Sequence, residues 1–449
     1  MGAWAQITYQ GPPYARCPTP AIMRGMNEAH LSFTGVLRYI RESWESTVRT
    51  VGHDAHPKLY LPHEFTVPCA SDRFQELFYW DTYFTNAGLL LDSRAHLAQS
   101  NVQNMFFMIR KFGFVPNSNA VYHLNRSQPP YLSMMVREIY EKTQDRGWLA
   151  TAWEPLEDEY RFWMTDRNTD IGLNRHLHSA TDGELTEFYR TTLVKRLGLE
   201  PADDATMREV GYHHIAEAES GHDFTPRFRG RCADHIPIDL NSNLYQYEQN
   251  FADFARMLGR DGNVWLGRSA ERVARMRRHM WDATLGCFND FDLARDEPTG
   301  TATAASFWPL AYGIATESEA ASTVRLLRHL EGPHGVSTCS DSPDARRYQW
   351  GYPNAWPPVQ LMVSTALARY GYDDDARRIA KTYLETVTRQ FEATGYLWEK
   401  YDSTTGEAGG AEYEPAKMLG WTAGVFVRLA EYLGVRQEGV RRNGVPRDG

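Results

Sequence analysis

Residues 356–391 read WPPVQLMVSTALARYGYDDDARRIAKTYLETVTRQF. Val359, Met362, Val363, Leu367 and Tyr370 follow helical spacing, and Ala376, Ile379, Tyr383, Val387 and Phe391 repeat it. The intervening GYDDD is a turn whose aspartates open the second helix, where negative charge meets the positive end of the helix dipole. The stretch is an αα-hairpin. Similar pairs can be drawn at 80–93 with 95–111, 130–143 with 151–165, 244–260 with 265–282 and 302–316 with 317–331. A run of such hairpins predicts an all-α fold, a closed toroid of helix pairs. Strand-like stretches are few and short, and no strand–helix alternation points to a parallel sheet. No Pro/Gly/Ser-rich linker divides the chain. The expected organisation is an N-terminal extension and first helix over 1–55, the barrel over 56–435 and a polar tail over 436–449.

The chain has 449 residues, 42% hydrophobic and 23% charged, enough apolar material for one large core. Its formal net charge is −9 with no dense Lys/Arg stripe, which argues against nucleic acid as a partner. No run of about 18 consecutive apolar residues crosses a membrane. The opening MGAWAQITYQGPPYARCPTP lacks a basic segment followed by an apolar run. Five cysteines (Cys17, Cys69, Cys232, Cys287, Cys339) are odd in number, scattered and without a CxxC pair, which fits a reducing compartment. A cytoplasmic location is therefore expected. His213-His214, His53 and His56 lack an accompanying ligand set at metal-binding spacing, so no metal is expected, and with no Gly-rich phosphate loop or GxGxxG opening a helix no cofactor is expected either. The sequence leaves the oligomeric state open.

The segments that interrupt the helical pattern carry the chemistry: 67–84, 115–132, 218–242, 348–360 and the C-terminal EKYDSTTGEAGGAEYEP (399–415). Each mixes aromatic, acidic and amide or guanidinium side chains with Gly or Pro. In a helical toroid such loops gather at one end. Splitting an acetal requires a proton donor to the departing oxygen and a second carboxylate that activates water or attacks directly. Asp223 in Ser-Gly-His-Asp-Phe and Glu399 beside Trp398 and Tyr401 are candidates for the two. Taken singly, the first reads more readily as a turn or cap aspartate and the second as a surface glutamate. Arg73 and Arg126 offer planar donor forks suited to adjacent sugar hydroxyls, or to salt bridges between loops. Trp80, Trp350 and Trp356 are either stacking platforms or core, and Glu412, after Gly409-Gly410-Ala411, is a candidate sugar-hydroxyl contact.

Together these loops resemble the trehalases, glycoside hydrolase family 37. Arg73-Phe74-x-Glu76-x-Phe78-Tyr79-Trp80-Asp81-Thr82-Tyr83-Phe84 looks like the first signature of that family, and Gln349-Trp350-x-x-Pro353-Asn354-x-Trp356-x-Pro358 like the second. Pro116-Asn117 with Leu124-Asn125-Arg126-Ser127-Gln128-Pro129-Pro130, and Trp398-Glu399-Lys400-Tyr401-Asp402 with Glu412-Tyr413 and Gly420-Trp421-Thr422, resemble two further segments. The resemblance implies an (α/α)6 barrel and an inverting α-glucoside hydrolase, with Asp223 as general acid and Glu399 as general base. It also implies that Arg73, Phe74, Trp80, Asp81, Asn117, Arg126, Gln128, Trp350, Trp356 and Glu412 line the sugar site. Inversion requires room for water, so the two carboxyls are expected roughly 6.5–9.5 Å apart.

The departures fall on the loops. The family's Gly-Gly before the first arginine is Ser71-Asp72, the aspartate expected after Gln349-Trp350 is Gly351, the tryptophan before the general acid is His222, and Ala423 stands where asparagine is usual. After Leu173-Asn174-Arg175 the family carries an Arg-Pro-Glu-Ser segment whose arginine joins two others at the sugar, but this chain reads HLHSATDGELTEF. Two other readings follow from these changes: the same scaffold working on a specialised metabolite, or a non-catalytic sugar-binding protein.

Overall fold

A computed structural model describes residues 29–70, 73–410 and 412–435; the expected 436–449 tail, the opening tract with Cys17, and Ser71-Asp72 lie outside these. The chain runs through α1 (Ala29–Ser43), the antiparallel strands β1 (Val48–Val51) and β2 (Leu61–Thr66), then α2 (Tyr79–Leu91), α3 (Ala95–Phe112), α4 (Leu132–Thr143) and α5 (Arg146–Asp166). A helical insertion follows: α6 (Asp182–Phe188), α7 (Val194–Leu197) and α8 (Asp204–Glu219). Pairing resumes with α9 (Ile238–Leu258), α10 (Asn263–Met280), α11 (Trp308–Ala311), α12 (Glu317–Val324) and α13 (Leu327–Leu330). The hairpin of 356–391 forms α14 (Pro357–Arg369) and α15 (Asp373–Thr394), and α16 (Gly420–Leu433) ends the described chain.

The inner helices close a ring, because α2 packs on α4, α4 on α9, α9 on α11, α11 on α14, α14 on α16, and α16 back on α2. Outside them, α3 packs on α2 and α4, α5 on α4 and α9, α10 on α9, and α15 on α14 and α16, while α1 lies against α15 and α16. This is an (α/α)6 barrel. Burial follows the layers. Inner α14 buries nearly every residue from Pro357 to Leu367. Outer α15 buries one stripe, Ala376, Ile379, Ala380, Tyr383, Leu384 and Val387, and turns its charges to solvent. Where the first and last inner helices meet, a Cβ on Gly424 would lie 1.9 Å from the Phe84 carbonyl oxygen, so only glycine permits this closure.

Three expected boundaries moved. Asp145 caps α5, its Oδ1 accepting from the Trp148 N–H at 2.9 Å, so that helix starts before 151. Pro237 pre-orients the chain for α9, which starts at Ile238 rather than 244. The single helix drawn at 302–316 is a 3₁₀ turn, Ala304–Phe307, leading into the short α11, whose run stops before Gly313 at φ +74°.

The placement of the loops is the functional consequence. Those at 67–78, 115–131, 220–237, 348–356 and 399–419 lead directly into the N-termini of α2, α4, α9, α14 and α16. They gather at the end of the barrel toward which the partial positive charge of the inner helices points.

Candidate active site

One cavity of about 920 Å³ opens at that end, lined by Asp223, Glu399, Arg73, Phe74, Trp80 and Asp81. Asn117, Arg126, Gln128, Trp350, Trp356 and Glu412 line it too, so the structure brings together every candidate residue named from the sequence.

Asp223 sits in the turn after α8. Gly221 there has φ +75°, and a Cβ on it would meet the Trp80 indole at 2.7 Å. The turn is zipped to the 348–356 loop by Trp350 N–H donating to the Phe224 carbonyl at 2.9 Å and by the Thr225 hydroxyl donating to the Trp350 carbonyl at 3.2 Å. Asp223 Oδ2 accepts from Arg196 Nη1 at 2.7 Å, and Arg196 Nη2 donates to the Asp223 carbonyl. The same guanidinium donates through Nε to Glu412 Oε2 at 2.7 Å and lies over the Phe224 ring at 4.5 Å. Glu412 is fixed against Gln349: its Oε1 accepts from that backbone N–H at 2.8 Å, and its own N–H donates to Gln349 Oε1 at 3.1 Å.

Glu399 enters from the strand-like segment before α16. Its carboxylate accepts from Tyr413 OH at Oε1 (2.9 Å) and from Lys400 Nζ at Oε2 (3.0 Å). Asp81, in the first turn of α2, is buried with both Asp223 and Glu399 near enough to repel its charge. Burial first, then those two carboxylates, push it up to about 8. Burial also pushes Glu412 up to about 7, with Arg196 opposing and Asp223 adding to the rise. Of the two, Asp81 is the carboxyl more inclined to hold a proton at neutral pH.

The walls are aromatic and guanidinium. Trp350 and Trp356 stack with centroids 3.8 Å apart and planes 3° off parallel, and Trp421 stands edge-on to Trp356 at 5.5 Å. The tryptophans are thus both core and lining. Arg126 is buried, donates through Nη1 to Asn125 Oδ1 at 2.8 Å, and has no partner for its buried Nε. Gln128 Oε1 accepts from the Trp80 N–H at 3.2 Å, and the Asn117 side chain bridges to the Ser127 and Ala218 carbonyls. Arg73 is exposed at the rim, donating to the Glu414 carbonyl at 2.8 Å. Phe74 holds the left-handed backbone at φ +50°, a strained position for an aromatic residue.

Sequence reasoning missed Arg196. As part of Lys195-Arg196 just before Gly198, it reads as a cation at a helix C-terminus, a common solvated role. Tyr413 and Trp421, quoted inside the C-terminal motif without a role, line the cavity as well. The replaced segment folds as α6, started by a Thr181–Glu184 capping box, then a π-helical turn (Tyr189–Leu193) and α7, and together they wall the cavity. The other departures have local reasons. His222 is buried edge-on against Trp350 at 4.6 Å and is kept neutral, with burial pushing it down to about 3, so it supplies a ring where a tryptophan was expected. At Gly351 a Cβ would lie 1.9 Å from the Ala345 carbonyl oxygen, because the 340–351 loop has closed over that position. Among the described residues no group of three or more His, Cys, Asp and Glu side chains is disposed to hold a metal ion. Among them, too, no helix is long and apolar enough to cross a membrane.

Residues 24–434 match the family model described as Trehalase. The chain belongs to the trehalase family. A curated periplasmic trehalase from Xanthomonas axonopodis pv. citri (strain 306) is 33% identical over 425 residues, spanning 88% of this chain and 73% of that protein. Among solved structures, the neutral trehalase of Saccharomyces cerevisiae superposes with TM-score 0.71 at 26% identity, over 88% of this chain and 80% of that one. A mannosylglycerate hydrolase from Thermus thermophilus, with TM-score 0.61 and 18% identity over 89% of this chain and 100% of that one, shares the fold alone. As a trehalase-family member the protein is a glycoside hydrolase.

The periplasmic relative overturns the cytoplasmic location expected from the sequence. That expectation leaned on unpaired cysteines, which turn out to be uninformative. Cys69, Cys232, Cys287 and Cys339 are free and buried, and burial raises every one of these thiols, Cys287 and Cys339 to about 12. Buried, protonated thiols resist oxidation in any compartment.

Proposed function

We propose that the protein hydrolyses trehalose with inversion, Asp223 acting as general acid and Glu399 as general base. The observation that carries this reading is that two carboxylates 176 residues apart by subtraction (399 − 223) face one cavity whose walls offer stacked indoles and guanidinium donors, Arg126 among them buried. Asp223 delivers a proton to the bridging oxygen while Glu399 removes one from a water on the opposite face of the sugar. Arg126, with an unpartnered buried Nε, gains partners when sugar hydroxyls arrive. Arg196 supplies, from the insertion, a cationic donor fork in place of the arginine absent after Leu173-Asn174-Arg175, and it holds Asp223 and Glu412 in a fixed relation. Both carboxylates face the cavity, which favours hydrolysis over mere sugar binding.

The catalytic unit is read as the barrel over 56–435 with α1 docked on its outer layer. The relative's compartment points to the periplasm, which cell fractionation checks directly.

Incubation with trehalose and with other α-glucosides, monitored by glucose release, tests the assignment. Trehalose is expected to be cleaved, and Asp223→Asn and Glu399→Gln are each expected to lower kcat by about 10²–10⁴-fold while the melting temperature is retained. Undiminished turnover in either variant contradicts the assignment.

A further inference from the structure

The side chain of Lys400 is completely buried, a costly place for an ammonium group that is not paired. Its Nζ donates to Glu399 Oε2 at 3.0 Å and sits over the rings of Trp356 and Tyr413 at 4.8 and 4.7 Å. From the other side the Tyr413 hydroxyl donates to Oε1 at 2.9 Å. The main chain of Glu399 is held as well, its N–H donating to the Ala416 carbonyl and its carbonyl accepting from Trp421 Nε1, both at 2.9 Å. With one donor on each oxygen, the carboxylate has a single orientation. Lys400 does not line the cavity, so its charge is directed at Glu399 and not at a bound sugar.

We propose that Lys400 and Tyr413 form a two-point clamp that positions the Glu399 carboxylate and sets a cation beside it for its work as general base. The proposal rests on the assignment of Glu399 made above. The other charged or titratable groups around it are Asp81 on α2 and Cys69 ahead of that helix, which sense its charge directly, and the guanidiniums of Arg196 and Arg73, 5.4 and 5.9 Å from the Tyr413 ring centroid. Asp223 and Arg196 act electrostatically on Tyr413, and Glu412 and Arg196 on Lys400. Removing the clamp leaves Glu399 facing Asp81 and Asp223 without its nearest cation, and that loss of charge is what the pH profile reads.

The test is the pH profile of kcat/KM for trehalose in Lys400→Met, Lys400→Gln and Tyr413→Phe. The midpoint of the acidic limb is expected to rise by about 1–3 pH units in both Lys400 variants, the range for loss of an adjacent opposite charge, and by less in Tyr413→Phe. A role in packing alone lowers the melting temperature and the rate at every pH but leaves that midpoint in place, a result that overturns the clamp. Should neither Lys400 variant fold, Tyr413→Phe decides: it keeps the ring and loses one donor, and an unmoved limb overturns the proposal. Glu399→Gln separates the two levels. If it is inactive while the other limbs stay put, the base assignment stands and the clamp falls; if it retains wild-type turnover, both fall.

Discussion

The cavity has two walls of different origin. One is made by the loops that feed α2, α4, α14 and α16, with Trp80, Arg126, Trp350 and Glu399; the other by the insertion α6–α8, which brings Asp223 on its trailing turn and Arg196 from α7. The first wall is buried and fixed from several directions, as when Trp356 Nε1 and the Asn354 side chain both donate to the Gln349 carbonyl. The second is partly exposed, and it meets the first through the Arg196 pairs, the bonds that zip Phe224 and Thr225 to Trp350, the Asn117 side chain on the Ala218 carbonyl, and Asn125 donating to Glu184 Oε1 at 3.1 Å. On the reading proposed for Arg196, the contrast teaches that a family's chemistry can persist while the element presenting one of its cationic groups is exchanged.

Arg196→Ala is the sharpest way to break that comparison. It leaves Asp223 and Glu412 facing each other without a countercharge, and a drop in kcat/KM of about 10²-fold is expected, the scale for losing a hydrogen-bonded charge pair. Arg126→Ala on the first wall is the matching control. Comparable losses show that both walls belong to one site, whereas an Arg196→Ala enzyme with native kinetics shows α7 to be mere cover.

Gly221→Ala sharpens the same contrast at the joint between the walls. The new methyl group meets the Trp80 indole from a left-handed backbone, and unfolding measurements are expected to show a loss of about 1–3 kcal/mol.

The last effect is one of pH and concerns Asp81 on the first wall. Its folded-state pKa stands at about 8 against 3.8 ordinarily, so between those values the folded state keeps a proton that the unfolded chain has released. Its contribution to stability is fully present below about pH 4 and is lost as pH rises through about 8. Asp81→Asn is therefore expected to flatten the decline of melting temperature across that window; an unchanged slope contradicts the burial argument.

These two walls also mark what was legible in the sequence. The 356–391 hairpin was readable because a turn with three aspartates separates two stretches of unbroken helical period, and α14 and α15 follow it closely. The 302–316 helix was misdrawn, since composition does not reveal where a 3₁₀ turn replaces an α-helical one. On the first wall the aromatic and guanidinium residues stand in ordered motifs, and the cavity receives all of them. Arg196 was illegible for a physical reason: nothing local distinguishes a helix-end arginine in solvent from one turned inward onto two carboxylates, and only the path of the π-helical turn decides it.

The central claim, one-step displacement between Asp223 and Glu399, is tested most directly by the anomeric form of the glucose first released, followed by proton NMR before mutarotation. In an α,α-linked disaccharide, attack by water with inversion yields β-glucose from the attacked ring and α-glucose from the departing one. Equal initial amounts of the two anomers are the expected result. Initial release of α-glucose alone would contradict the account.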